Sequence, residues 1–283
     1  RARSRQGPPQ SGGARLASAG EGTGPEAAQE DRYLLVSHEK PDGDAWGSLL
    51  ALHLWLRAAG KDAVSLVQEP DLEAFPAIRA LLPVEEITCQ KLPADWPERK
   101  LICLDLANLE RIGFPFQAPP AVWMQIDHHP DNPGYAEHNL IDPQTPATAQ
   151  ILYRLFASAP GRLETAVARA LGVGLLTATL YFSVPKTNAE SFTMAAELLE
   201  LGVSLPELSL SLQKELGSAE FLVQSACLAK TEFSCQGKLA SLLVRSEDLA
   251  GFEEVKLHTH SLLRSLRSVT GCVVICVLVE DPD

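Results

Sequence analysis

Carboxylates and imidazoles fall in three tight groups along this chain, each at the end of an apolar run. His38-Glu39-Lys40-Pro41-Asp42-Gly43-Asp44 follows Tyr33–Ser37, Asp105 closes Leu101–Leu104, and Asp127-His128-His129 closes Val122–Ile126. Taken singly, most have an ordinary explanation: His38 as a loop histidine, Asp42-Gly43-Asp44 as a turn, the histidine pair as a structural turn. Asp105 is harder to dismiss, because an unpartnered carboxylate in an apolar strand is costly. Taken together, the groups suit a metal site. Aspartate and histidine favour Mn²⁺, with Mg²⁺, Co²⁺ and Fe²⁺ compatible, and the lack of cysteine in the set argues against structural zinc. Two ions roughly 3.5–4 Å apart could share one carboxylate, lower the pKa of a water and clamp an in-line attack on phosphorus.

The elements around these groups explain why they would meet. Tyr33–Ser37, Ala63–Gln68, Lys100–Asp105 and Ala121–Ile126 read as strands, nearly continuous in apolar residues as in a parallel sheet buried on both faces. Helices are expected over Trp46–Gly60, near Leu72–Leu82, from an N-cap at Thr145-Pro146 to about Ala157, over Glu164–Thr179 and over Ala189–Leu201. Strands alternating with helices give an α/β class, and in a parallel sheet every strand's carboxyl end opens on one edge. The three groups therefore share one crevice. Pro206–Leu216 then reads as a helical connector, followed by helix, strand, helix and strand over Ala219–Lys230, Lys238–Arg245, Gly251–Ser268 and Cys272–Val279. The expected organisation is a disordered tail over 1–31, a catalytic α/β domain over 32–203, a connector over 204–217, and a partial smaller α/β domain over 218–283. The tail is rich in small and polar residues that cannot offset ordering entropy, and the final strand near Asp283 reads as a cut rather than a natural end.

Composition narrows the partners. The 283 residues carry 24 Lys and Arg against 36 Asp and Glu, a net charge of -12, which argues against coating long duplex DNA. Small phosphorylated substrates stay open, since bound cations supply what the chain lacks. No apolar run approaches the roughly 18 residues of a membrane span. The six cysteines form no CxxC pair and read as buried free thiols of a cytoplasmic protein.

The ordered motifs carry a specific resemblance. His38-x-x-Pro41-Asp42-x-Asp44-Ala45-x-Gly47-Ser48, then Asp105 with Arg111-Ile112-Gly113, then Ile126-Asp127-His128-His129-Pro130-x-Asn132 resemble the motifs of the DHH phosphoesterase family over about residues 33–279. Length and order are most similar to the nanoRNase-type subgroup of oligoribonucleases and phosphoadenosine-phosphate phosphatases. The resemblance implies a DHH-type domain with a partial DHHA1-like domain after it, and two divalent ions, manganese first among them. It implies that His38 and Asp42 bind one ion, Asp44 and His128 the other, and that Asp105 bridges both. It further implies that His129 meets the scissile phosphate or the leaving oxygen and that Asp127 orients the histidines. Arg111 is either a phosphate contact or a surface ion-pair residue.

Two departures qualify this. The family's fourth motif carries an Asp-Thr-Gly where this chain has Ala178, Thr179 and Leu180. That loses a carboxylate from the ion held by Asp44 and His128. It reads as an introduced inactivating change, which the intact flanks Thr177, Thr179 and Phe182 favour, or as natural divergence. The glycine-rich GGGH segment that ends the family's smaller domain does not occur before Asp283. Substrate in two-domain members is expected across the interdomain cleft. The leading expectation is metal-dependent hydrolysis of short single-stranded RNA or DNA, or of small nucleotide phosphates, with a homodimer as one expected assembly. The alternatives are a pyrophosphatase or polyphosphatase of the same superfamily and a catalytically silent nucleotide-binding module.

Overall fold

The computed structural model describes residues 32–67, 79, 88–112, 120–212, 218–249 and 259–280. The expected tail, the helix near Leu72–Leu82 apart from Arg79, the end of the connector and the start of the Gly251–Ser268 helix lie outside them. The chain divides into two compact units between Leu212 and Gln213.

The first unit is built on a parallel sheet of six strands: β1 (Arg32–Val36), β2 (Asp62–Leu66), β3 (Thr88–Cys89), β4 (Lys100–Leu104), β5 (Met124–Asp127) and β6 (His138–Ile141), ordered β3-β2-β1-β4-β5-β6. Leu34 pairs with Val64 on one side and Leu101 on the other, and Leu104 pairs with Ile126. Alternation sends Leu35, Ile102, Leu104 and Ile126 into one core cluster and Leu34, Val36, Leu101 and Cys103 into another. Both faces are thus covered, which is why these strands carry no polar alternation. The order reverses between β1 and β4, so the loops after them diverge and leave a crevice at the carboxyl edge.

Among the described residues this unit carries the helices α1 (Gly43–Ala58), α2 (Thr148–Ala157), α3 (Thr165–Ala178), α4 (Ala189–Glu200) and α5 (Leu205–Leu212). Helix α1 begins three residues before the expected Trp46, because Asp42 caps it by accepting from the amides of Asp44 (2.9 Å) and Ala45 (3.1 Å). Thr145 is not the cap of α2. Its hydroxyl donates to Asp142 Oδ2 at 2.5 Å, and Ala147 occupies the N-cap without a side-chain bond. Helix α5, expected within a connector, buries Leu205, Leu208 and Leu212 in the core of this unit. Strands β3 and β6 were not expected; one is two residues long and the other, His138-Asn139-Leu140-Ile141, is mostly exposed.

His53 of α1 and Ser65 of β2 form a buried pair, Nδ1 to Oγ 2.9 Å, and burial together with Arg57 lowers the imidazole pKa to about 4. Unfolded, the same histidine takes up its proton near pH 6.5. The unfolded state therefore binds more protons between those values, and stability falls as pH drops through that window. Relative to a His53→Gln variant, the parent should lose about 2–3 kcal/mol between pH 7 and pH 4. Urea unfolding of both proteins across that range checks it, and parallel pH curves would contradict it.

The second unit holds α6 (Ser218–Leu228), β7 (Glu232–Ser234), β8 (Leu239–Val244), α7 (Thr259–Arg267) and β9 (Val274–Val279). Strand β8 runs antiparallel to β7 and parallel to β9. Val223, Cys227, Leu242, Val244, Leu262 and Leu266 make its core. The short, exposed β7 was not expected. Of the six cysteines, Cys103 and Cys227 are buried whereas Cys235 and Cys276 are exposed, so the expectation of buried thiols holds for only part of the set.

Candidate metal centre

Three strand ends deliver the site. The loop after β1 carries His38 and Asp42, and Asp44 lies in the first turn of α1; Asp105 directly follows β4; Asp127, His128 and His129 sit at the end of β5. His38, Asp42 and Asp105 bring potential ligand atoms within 4.8 Å of one another, and so do Asp105, His128 and His129. Asp105 belongs to both groups. Its Oδ2 lies 3.8 Å from His38 Nε2, and its Oδ1 lies 3.5 Å from His128 Nε2. Asp44 Oδ2 faces the same His128 nitrogen at 3.7 Å.

The two histidines are oriented alike. His38 Nδ1 lies 2.8 Å from its neighbour's carbonyl at Glu39, and His128 Nδ1 lies 3.2 Å from the Thr145 carbonyl. A carbonyl only accepts, so each Nδ1 carries the proton and each Nε2 presents a lone pair to the carboxylates. Separations of 3.5–3.8 Å between lone pairs and carboxylate oxygens are too long for hydrogen bonds and leave room for a cation between them. His129 differs. Its Nδ1 donates to Asp127 Oδ1 at 2.7 Å, so that nitrogen is committed to Asp127.

Electrostatics agree with this arrangement. Burial, then the charges of Asp105 and Asp42, hold the Asp44 carboxyl well above the ordinary range. Burial, then Asp42, pushes Asp105 up to about 7. Burial, then His129 and more weakly Lys186, holds His128 below the usual histidine range, despite the opposing pull of Asp127. Burial would also raise Asp127, but hydrogen bonds from His129, Asn132 and the His128 amide hold it below the ordinary value. Clustered, buried carboxylates disfavour their own ionised forms, and a cation reverses that preference. The donor set, two imidazoles with three carboxylates and no thiolate, fits a hard or intermediate divalent ion.

Close packing behind the site fixes it. A Cβ on Gly47 would lie 2.6 Å from the Ala170 carbonyl oxygen, and one on Gly174 would lie 2.9 Å from Asp44 Oδ1. Glycine at both positions lets α3 run against α1 with its backbone touching the Asp44 side chain. Ala178 lies one turn beyond Gly174, half-buried at the end of α3, and the intervening Thr177 packs on Gly43. A side chain at 178 thus rises on the face of α3 that meets the start of α1. Arg111 sits on a 3-10 turn, Leu109–Ile112, whose carbonyl at Arg111 accepts from the Glu39 amide at 2.7 Å. This ties the turn to the His38 loop; the Arg111 side chain is exposed and has no ion-pair partner among the described residues.

Some participants escaped the sequence reading. Asn132 donates to Asp127 Oδ2 at 2.5 Å and also reaches Gln125 Oε1 at 3.2 Å. Thr145 contributes a carbonyl, and Lys186 adds its charge near His128. Thr148 touches two of the carboxylates. Asn132 lay within the third motif and was open to notice; the other three have no local signal.

Past α3 the chain turns through Leu180, Tyr181 and Phe182 at φ of 46°, 57° and 66°. A left-handed backbone costs a residue other than glycine roughly 1–2 kcal/mol. Leu180 is 45% exposed, so it recovers little by burial. Leu180→Gly should therefore stabilise the protein by about 0.5–1 kcal/mol after the extra unfolded-state entropy of glycine is counted. Thermal unfolding measures this, and a destabilised variant would contradict it.

Residues 32–179 match the DHH family, N-terminal domain. The chain is 33% identical over 251 residues to the bifunctional oligoribonuclease and PAP phosphatase NrnA of Thermus thermophilus, covering 87% of this chain and 72% of that protein. It is 24% identical over 261 residues to the protein of the same name from Bacillus subtilis, covering 89% and 79%. An exopolyphosphatase-related protein from Bacteroides fragilis shares the fold at a TM-score of 0.76, with 22% identity over 90% of this chain and 78% of that one. By the span of the family match and the extent of this identity, the chain belongs to the DHH phosphoesterase family.

Proposed function

We propose that this protein is a divalent-metal-dependent hydrolase of short single-stranded oligonucleotides and small nucleotide phosphates, acting in the cytoplasm. The observation that carries the reading is the matched orientation of His38 and His128, each with Nδ1 held by a backbone carbonyl and Nε2 aimed at Asp105. Family membership and the names of the relatives support the substrate class.

In this reading His38 and Asp42 would hold one ion, Asp44 and His128 would hold a second, and Asp105 would contribute to both. Manganese is the preferred ion, with magnesium and cobalt as substitutes. Ions bound there would supply a water of lowered pKa and neutralise charge on the phosphate. The protein's own part is orientation. Asp127 locks His129 through Nδ1, which leaves Nε2 for a phosphate or leaving oxygen, and a proton held there can pass to the departing group. Arg111, tied beside His38, offers a guanidinium to a phosphate oxygen. Asp42 combines two tasks, since it also caps α1 and so holds the His38 loop against the helix.

Separate incubation of manganese-loaded protein with a ribodinucleotide, phosphoadenosine phosphate and inorganic pyrophosphate tests the reading. Release of mononucleotide or adenosine monophosphate is expected. Turnover of pyrophosphate alone would instead indicate the pyrophosphatase reading. The absent carboxylate at Ala178 favours one second reading, a silent nucleotide-binding module; binding without turnover, both in the parent and in Ala178→Asp, would support it. No helix among the described residues is long and apolar enough to cross a membrane.

A further inference from the structure

Helix α2 starts against the centre, and its first residue makes two contacts there. The Thr148 amide donates to Asp44 Oδ2 at 2.8 Å, and the Thr148 hydroxyl donates to Asp105 Oδ1 at 3.0 Å. The next amide, Ala149, donates to Asp44 Oδ1 at 3.0 Å, and Ser48 Oγ reaches the same oxygen at 3.3 Å. Thr148 is wholly buried, and Asp44 and Asp105 are each 2% exposed. No local side chain caps α2. A carboxylate 104 residues earlier in the chain does so instead.

These contacts have a consequence for the carboxylates themselves. Asp44 and Asp105 come from different segments, repel one another, and yet must keep a fixed separation to serve as ligands. Amides at a helix start favour the ionised form of Asp44. The hydroxyl does the same for Asp105 and occupies one lone-pair direction of Oδ1, leaving the rest of that carboxylate toward His38 and His128. A β-branched side chain in a helix has few χ1 choices, so the hydroxyl is held in place.

We infer that Thr148 is a positioning residue of the metal centre, its hydroxyl fixing the orientation of Asp105 while its amide fixes Asp44. The inference rests on the metal-centre reading above. Thr148 would act through the two carboxylates that its amide and hydroxyl contact.

Thr148→Val keeps the shape and the amide bond to Asp44 but removes the hydroxyl; Thr148→Ser keeps the hydroxyl. Manganous-ion affinity, measured by calorimetry on metal-free protein, should fall about 10–100-fold in the valine variant, the usual scale for losing a hydrogen bond behind a ligand. The serine variant should stay within about threefold of the parent. Circular dichroism establishes that each variant is folded, and Thr148→Ala replaces valine if valine disturbs the packing. Parental affinity in the folded valine or alanine variant would overturn the inference. So would an equal loss in serine and valine, which would mark a packing role. If the parent itself bound no divalent ion, the metal-centre reading would fall first, and this inference with it.

Discussion

Ala178→Asp should tighten manganous-ion binding at least about tenfold and raise hydrolysis with it. The geometry behind this is the run of α3 along α1. Gly174 places its backbone against Asp44, Thr177 packs on Gly43, and position 178 continues the same face toward the start of α1. A carboxylate there joins Asp44 and His128 on the side of the centre where the His128 Nε2 faces Asp44 besides Asp105. The same carboxylate should harm the metal-free protein, because it adds charge beside Asp42, Asp44 and Asp105. We expect the metal-free variant to lose on the order of 1–2 kcal/mol. Tenfold tighter binding then returns about 1.4 kcal/mol at saturating metal. The opposite signs make the test sharp: melting with and without manganese should show a lower starting point and a larger shift. A variant with unchanged shift would mean that residue 178 does not face the ion.

Asp105→Asn should have the reverse profile. Asn tolerates the left-handed backbone that Asp105 adopts at φ 52°, and its amide oxygen can still accept from Thr148. What it loses is the charge shared by His38 on one side and His128 on the other. Several kcal/mol of metal-derived stabilisation disappear, so activity should fall at least about a thousandfold. Without metal, however, a buried repulsive carboxylate has been removed from beside Asp44 and Asp42, and the variant should melt above the parent. Asp105→Ala is the informative control, since it forces alanine into a left-handed conformation and should lose stability with or without metal. Equal activity in Asp105→Asn and parent would refute the shared-ligand role.

The sheet was legible because strands buried on both faces must be continuously apolar, and Leu34-Leu35-Val36 and Leu101-Ile102-Cys103-Leu104 are. The grouping of the candidate residues was legible because they sit within a few positions of those strand ends, where topology brings them together. What stayed hidden depends on distant partners. The start of α2 looked local, at Thr145-Pro146, but Asp44 supplies its cap from across the unit, and no sequence window spans that contact. Strand β3 owes its identity to pairing with β2 at two residues, Thr88 and Cys89, and carries no pattern of its own. Exposed Cys235 sits in the turn between β7 and β8, and the three residues of β7 are too few to read from period. Ala178 was visible only as a departure from a motif; its consequence became physical once Gly174 was seen against Asp44.

Titrating metal-free protein with Mn²⁺ while following cleavage of a ribodinucleotide tests the centre most directly, with Asp105→Asn in parallel. No mononucleotide release is expected without metal, release should rise with ion occupancy in the parent, and Asp105→Asn should show neither binding nor release. Full cleavage by the metal-free parent, or ion binding undiminished by Asp105→Asn, would contradict it.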